Sequence, residues 1–153
     1  MKTMLEERGY RELFPCRQFL YTERTPLSVR HKDIRRLGME SLDYICGRYD
    51  MGSTDYVRDR IRAGVMYGAF ADGRLAGFIG MHTEGSLGML YVEEDCRRQG
   101  LAASLVAYAA NRTLERGWTP YSQVVSENEA SVRLQEKLGF YQAKNQFWWV
   151  EKA

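Results

Sequence analysis

The stretch from Met66 to Arg116 leaves this chain few folds to choose from. Met66–Ala71, Leu75–His82 and Leu87–Val92 are short runs of strand-forming residues. Asp72-Gly73 joins the first two with a two-residue hairpin signal, and Thr83-Glu84-Gly85 makes the second turn. From about Gly100 to Arg116 the period becomes helical. Leu101, Leu105, Tyr108, Ala109 and Leu114 then share one face, and Gly117 closes the run. A three-strand meander followed by an amphipathic helix can satisfy both elements by packing that stripe on the sheet.

The rest of the chain fits around this unit. Residues 4–12 predict a short helix stopped near Gly9, and the aromatic run Cys16–Thr22 predicts a strand. Residues 33–37 read as another short strand. Leu42, Ile45 and Cys46 place a helix over Glu40–Arg48. Ser53 is an N-cap candidate for a helix through Ala63, with Gly64 to end it. Beyond the central helix, Tyr121–Ser126 predicts a buried strand and Glu129–Leu138 a helix stopped at Gly139. Tyr141–Ala143 and Phe147–Glu151 predict two last strands. Helices and strands in this order imply one α/β (α+β) domain with a mixed sheet. The segment Leu5-Glu-Glu-Arg-Gly-Tyr before Gln18-Phe-Leu-Tyr-Thr-Glu resembles Leu134-Gln-Glu-Lys-Leu-Gly-Phe before Gln146-Phe-Trp-Trp-Val-Glu, with a one-residue shift. Chance accounts for that likeness, or residues 1–25 are the stub of a duplicated half.

Composition removes several function classes. Cys16, Cys46 and Cys96 are far apart and odd in number, and His31 and His82 are the two histidines, so neither a disulfide framework nor a metal site is expected. A net charge of +2 argues against general nucleic-acid binding. There is no long apolar run and no apolar stretch in Met-Lys-Thr-Met-Leu-Glu-Glu-Arg, so a chain without membrane span or secretory leader, located in the cytoplasm, is expected.

The junction before the long helix carries the chemistry. Arg97-x-x-Gly100-x-Ala102 stands where a strand gives way to a helix. Helix N-termini present unpaired N–H groups and the positive end of the dipole. Small residues let a phosphate approach, and Arg97 and Arg98 add charged donors. A pyrophosphate suits such a site; a plain helix start with exposed arginines would look the same.

Leu87-Gly-Met-Leu-Tyr-Val-Glu-Glu-Asp-Cys-Arg-Arg-Gln-Gly-Leu-Ala and Ser126-Glu-Asn-Glu-Ala-Ser-Val-Arg-Leu-Gln-Glu-Lys-Leu-Gly-Phe together resemble the two signature motifs of the Gcn5-related N-acetyltransferase (GNAT) superfamily. Pro120–Phe140 is most similar to its glycine N-acyltransferase-like, or FR47-like, branch. The resemblance covers roughly residues 33–150 and leaves residues 1–30 as an N-terminal extension. It implies a mostly antiparallel sheet of about six or seven strands flanked by about four helices. In that fold the strands at Leu87–Val92 and Tyr121–Ser126 splay apart.

It also implies acetyl-CoA as cofactor. The pantetheine arm would pair with the backbone of Leu90, Tyr91 and Val92 at a bulge. The pyrophosphate would rest on Arg98, Gln99, Gly100, Leu101 and Ala102, with Arg97 beside it. Asn128 would reach the pantetheine and Ser131 lies one turn on, while by sequence alone the N-cap role of Asn128 is favoured over ligand contact. The Val92 N–H, or a neighbour at the bulge, would stabilise the oxyanion.

A base is harder to choose. Stepping back from Val92 by twos gives Leu90, Gly88, Ser86 and Glu84. Glu84 is the first ionisable group, although it falls in a turn; His82 is the alternative. The tyrosine that commonly acts as acid in the family is here Gln135, which donates a hydrogen bond but is no acid at neutral pH. Tyr141 or Tyr121 would have to substitute, although a thiol with pKa about 8.5 needs little help in leaving. The helices of residues 40–63 offer Asp43, Tyr44, Tyr49, Asp50 and Tyr56 to an acceptor, or simply solvated charges. The expected activity is transfer of an acetyl group from acetyl-CoA to a primary amine of a small molecule or amino acid, in a ternary complex. The expected enzyme is a monomer or homodimer. The alternatives are a non-catalytic acyl-CoA-binding module and a protein or peptide N-acetyltransferase.

Overall fold

A computed structural model describes residues 2–145 and 147–153. Its elements in chain order are α1 (Lys2–Glu7), β1 (Tyr10–Leu20), β2 (Ile34–Arg36), α2 (Leu42–Cys46), α3 (Thr54–Arg62), β3 (Met66–Ala71) and β4 (Arg74–Met81). Then follow β5 (Leu87–Val92), α4 (Leu101–Glu115), β6 (Tyr121–Val125), α5 (Glu129–Lys137), β7 (Tyr141–Gln142) and β8 (Phe147–Lys152). Local chemistry explains the boundaries. Asp72 and Gly73 both take positive φ, 52° and 77°, as the β3–β4 hairpin requires. The Ser53 side chain accepts from the Tyr56 N–H and starts α3.

The eight strands form one sheet in the order β2-β3-β4-β5-β6-β1-β7, with β8 also paired to β1. Its pairings are antiparallel except β5 with β6. The sheet is thus somewhat larger than expected from sequence. The stretch expected as an N-terminal extension supplies the added strand: β1 pairs with β6 from Cys16↔Val125 to Leu20↔Tyr121, and its other edge carries β7 and β8. The run Cys16–Thr22 marks only the part of β1 nearest β6, and the strand begins at Tyr10. Gly9 follows α1 with φ 83° and Gly139 follows α5 with φ 84°; β1 comes after the first, β7 and then β8 after the second, and both pair antiparallel with β1. Gln146 of the internal likeness lies outside the described residues.

The core is double. On one face α4 covers the sheet, with Leu101, Leu105, Ala109 and Ala110 packed on Ile79, Met81, Leu87 and Val92. On the other face α2 and α3 bury Ile45, Val57 and Ile61 against Met66, Phe78 and Met89. Each of the larger aliphatic and aromatic side chains among these contributes about 1.5–3 kcal/mol by leaving water. Between β1 and β2 the chain runs along α4. There Asn111 accepts from the Leu27 N–H at 2.8 Å and donates to the Leu27 carbonyl at 2.9 Å, and Ser104 Oγ accepts from the His31 N–H at 3.1 Å.

Candidate active site

β5 is built to open the sheet. Phe78 pairs with Tyr91 and Gly80 with Gly88, so Met89 and Leu90 together face the single residue Ile79. Met89 has φ 56°. This is the bulge expected from sequence, and it has a consequence for side-chain direction. Leu87 and Val92, one odd and one even, bury on the same α4 face, while Met89 buries on the other. Stepping back from Val92 by twos therefore fails at the bulge, because the extra residue reverses the alternation.

Past the bulge, β5 and β6 separate; their pairing rests on Leu87↔Ser122. The Glu93 N–H donates to the Ala76 carbonyl at 2.8 Å, so by ladder alternation Val92 occupies a position not bonded to β4. Its N–H points toward the β6 side, into the widening cleft. The Val92 carbonyl accepts from Arg97 Nε at 3.0 Å. Tyr91 corrects the expectation for its backbone. It stands opposite Phe78, where that alternation directs its N–H and carbonyl into the β4 ladder, and its hydroxyl donates to Glu93 at 3.1 Å.

The cleft runs toward the start of α4. Gly100 is left-handed with φ 78°, and a Cβ built there would meet no atom within 4 Å, so the space above it is open. The first α4 bond is from the Ser104 N–H to the Gly100 carbonyl, 3.0 Å. The N–H groups of Leu101, Ala102 and the next residue precede that bond and have no intrahelical acceptor. Arg97, Arg98, Gln99 and Gly100 are exposed beside them, and Arg97 is anchored on Val92. These groups lie together at one edge of the domain, where the sequence leads one to expect a pyrophosphate. Asn128 caps α5, its side chain accepting from the Ser131 N–H at 3.2 Å.

A cavity of about 480 Å³ opens near the other end of β5, lined by Arg60 of α3, His82, Glu84, Arg116 and Tyr121 among others. It lies at the C-terminal end of α4, about 22 Å along the helix axis from Gly100, so it is distinct from the edge at Arg97–Ala102. The two candidate bases thus share one wall. Glu84 sits exposed in the β4–β5 turn, its carboxylate accepting from Ser86 Oγ at 2.5 Å. His82 is half-buried, its Nδ1 2.6 Å from the Tyr56 hydroxyl of α3 and its ring stacked on that of Tyr56. Trp149 of β8 lies over the imidazole, ring centroids 6.2 Å apart. Burial holds the His82 pKa below the ordinary histidine value, against the opposing pull of Glu84.

The acid candidates are placed differently. Tyr121 donates its hydroxyl to the Glu84 carbonyl at 2.7 Å, and burial raises its pKa. Tyr141, on β7, is 52% exposed and is not among the residues lining the cavity. Gln135 is buried in the core, accepting from Ser122 Oγ at 2.9 Å. Of the residues expected on the acceptor side, Asp43 and Asp50 are exposed. Tyr44 and Arg48 both bond Glu93 Oε1 at 2.5 Å. Sequence reasoning missed Tyr56 as the partner of His82, and Trp149, because nothing in the chain links α3, β4 and β8. No cluster of three or more His, Cys, Asp or Glu side chains that could hold a metal occurs among the described residues.

Residues 64–150 match the family described as FR47-like protein, which is more than half of the chain. The chain belongs to the FR47-like branch of the GNAT superfamily. No curated relative matches it. Among solved structures, a Drosophila protein is similar at TM-score 0.84 and 23% identity over 99% of this chain and 56% of its own. A GNAT-family protein from Novosphingobium aromaticivorans is similar at TM-score 0.74 and 22% identity over 92% and 65%. This GNAT chain therefore spans less than two thirds of each of those two. AAC(6')-Iy, solved with the bisubstrate analogue CoA-S-monomethyl-acetylneamine, is similar at TM-score 0.62 and 19% identity over 79% of this chain and 98% of its own. At these identities the likeness establishes the GNAT fold. Among the described residues no helix is long and apolar enough to cross a membrane.

Proposed function

We propose that this GNAT domain is an acetyl-CoA-dependent N-acyltransferase acting on a primary amine of a small molecule or amino acid. The observation that carries the reading is the alignment of three features along one strand: the bulge at Met89–Leu90, the cleft-facing Val92 N–H, and the open N-terminus of α4. The AAC(6')-Iy complex supports CoA as the group such a fold accepts.

The residues fit that group. The pyrophosphate takes the partnerless N–H groups at Leu101 and Ala102, with Arg97, Arg98 and Gln99 around it. Leu90 and Val92 offer backbone to the pantetheine arm and an N–H to the thioester oxygen. Asn128 and Ser131 are the residues the family resemblance gives to the pantetheine, and the Asn128 oxygen is engaged as the α5 cap. Bound acetyl-CoA supplies an acyl carbon on a thiolate leaving group. The chain's own residues would orient it and accept the amine's proton; Glu84 and His82 both line the cavity read here as the acceptor site.

A non-catalytic acyl-CoA-binding module is the second reading, favoured by the burial of Gln135 where the family's acid commonly stands. One experiment separates the two. Calorimetric titration with acetyl-CoA is paired with thiol release over a panel of amines, amino acids and peptides. The proposal expects binding that Arg97→Ala weakens, and turnover on small amines. Binding without turnover would favour the module. Turnover confined to peptides would make this a protein-modifying enzyme, and absence of binding would end both readings.

A further inference from the structure

We propose that His82 is the proton acceptor of this acyl transfer, held in the reactive tautomer by Tyr56 and given its place by the missing side chain at Gly88. The inference rests on the acyltransferase reading and goes beyond it to the group that does the proton chemistry.

The geometry begins at Gly88. A Cβ there would lie 2.6 Å from His82 Nε2 and 2.8 Å from Cδ2 of the ring. Neither approach is sterically possible, so only glycine lets the imidazole lean from the end of β4 across β5. Nε2 is thereby placed over the strand one residue before the bulge, where the cleft opens. The opposite nitrogen, Nδ1, is 2.6 Å from the Tyr56 hydroxyl. The bond made by one ring nitrogen sets what the other can do. With Nδ1–H donating to Tyr56 Oη, Nε2 carries a lone pair above Gly88, and His82 is among the residues lining the cavity. Among the described residues Nε2 has no hydrogen-bond partner of its own. The Tyr56 bond holds the ring at Nδ1, and the Trp149 ring lies beside it with centroids 6.2 Å apart. Glu84 is the less well placed candidate, because its carboxylate is engaged by Ser86 and stands exposed in the turn.

The step balances within the two substrates and this side chain. The amine nitrogen forms the new C–N bond to the acyl carbon, its proton passes to Nε2, and the C–S bond breaks to release CoA as thiolate. The imidazolium then returns the proton to the thiolate or to water. Tyr56 touches neither substrate and acts as a positioning residue. It accepts from Nδ1–H in both charge states of the ring, which is the interaction an imidazolium needs.

The charged and titratable groups around the ring are Tyr56 and Arg60 of α3 and Glu84 of the turn. Burial and Arg60 favour neutral His82, and Glu84 opposes them. The ring should therefore be unprotonated at pH 7, and kcat/KM should rise with pH along an acid limb placed below the ordinary histidine range.

The test uses two readouts. Long-range proton–nitrogen spectra of the labelled protein report both imidazoles, His31 and His82, and His82→Gln deletes one set of signals. The expected result is a neutral His82 protonated at Nδ1, with that preference lost in Tyr56→Phe. Against the best amine found for the wild type, His82→Gln should lower kcat by roughly 10²-fold or more and flatten the acid limb. Gly88→Ala, which displaces the ring without removing it, should lower kcat while acetyl-CoA still binds. A neutral His82 protonated at Nε2 would overturn the proposal. So would a wild-type rate in His82→Gln, and a loss confined to Glu84→Gln would pass the role to Glu84. No turnover by the wild type on any amine would instead sink the acyltransferase reading, and this inference with it.

Discussion

Gln135 shows how much one position can say at the scale of a residue. The family's acid commonly stands there, yet here the side chain is 5% exposed and bonded to Ser122 of β6. Its work is to tie α5 to the sheet. Replacing it with leucine removes the partner of a buried hydroxyl, a loss of about 1–3 kcal/mol. The expected outcome for Gln135→Leu is a lower unfolding midpoint in denaturant with kcat unchanged. A fall in kcat at unchanged stability would return Gln135 to the chemistry. The same positional logic governs Asn128. The sequence left it between a cap and a ligand contact, and its oxygen is engaged with the Ser131 N–H.

Among the elements, α2 and the end of β5 are joined through one carboxylate. Glu93 accepts from Tyr44 and Arg48 through Oε1 and from Tyr91 through Oε2. Arg48 also lies 3.7 Å over the Tyr44 ring. The Tyr44 hydroxyl first, then Arg48 and Tyr91, hold the Glu93 carboxyl below the usual carboxylate range, against the desolvation that opposes them. A depressed carboxyl pKa gives stability that is present above the unfolded value of about 4.3 and lost as pH falls through the folded one. Thermal unfolding across the acid range should therefore show a fall that Glu93→Gln reduces. Equal slopes for wild type and variant would mean the cluster contributes nothing. The meander and α4 were readable from sequence because their signals are local: alternation, a turn pair and an apolar stripe. The limits of β1 were not, because Tyr10–Pro15 is a strand through its pairing with β8 rather than through its own pattern.

The whole molecule depends on that first strand. β1 lies between β6 and the last two strands, and β7 and β8 pair with it alone among the described pairings. Deleting residues 1–20 would strip the outer edge of β6 and leave β7 and β8 without a neighbour. The expected product unfolds without cooperativity or aggregates, as an exposed strand edge favours. A truncated chain that unfolds cooperatively at the wild-type midpoint would show that β1 is an accessory.

The amino-acid sequence by itself determined the three-strand meander, the long helix with arginines at its N-terminus, and the family. Each of these is written in contiguous residues with a period, a turn or a motif. What only the tertiary structure decided is which side chains meet. The bulge at Met89–Leu90 reverses the alternation on which the choice of Glu84 rested. Folding carries Tyr56 from α3 and Trp149 from β8 to His82, and the absent side chain of Gly88 makes room for that ring. Contacts between residues 26 and 67 positions apart depend on strand order and on the space one glycine leaves, and neither is encoded in a local pattern.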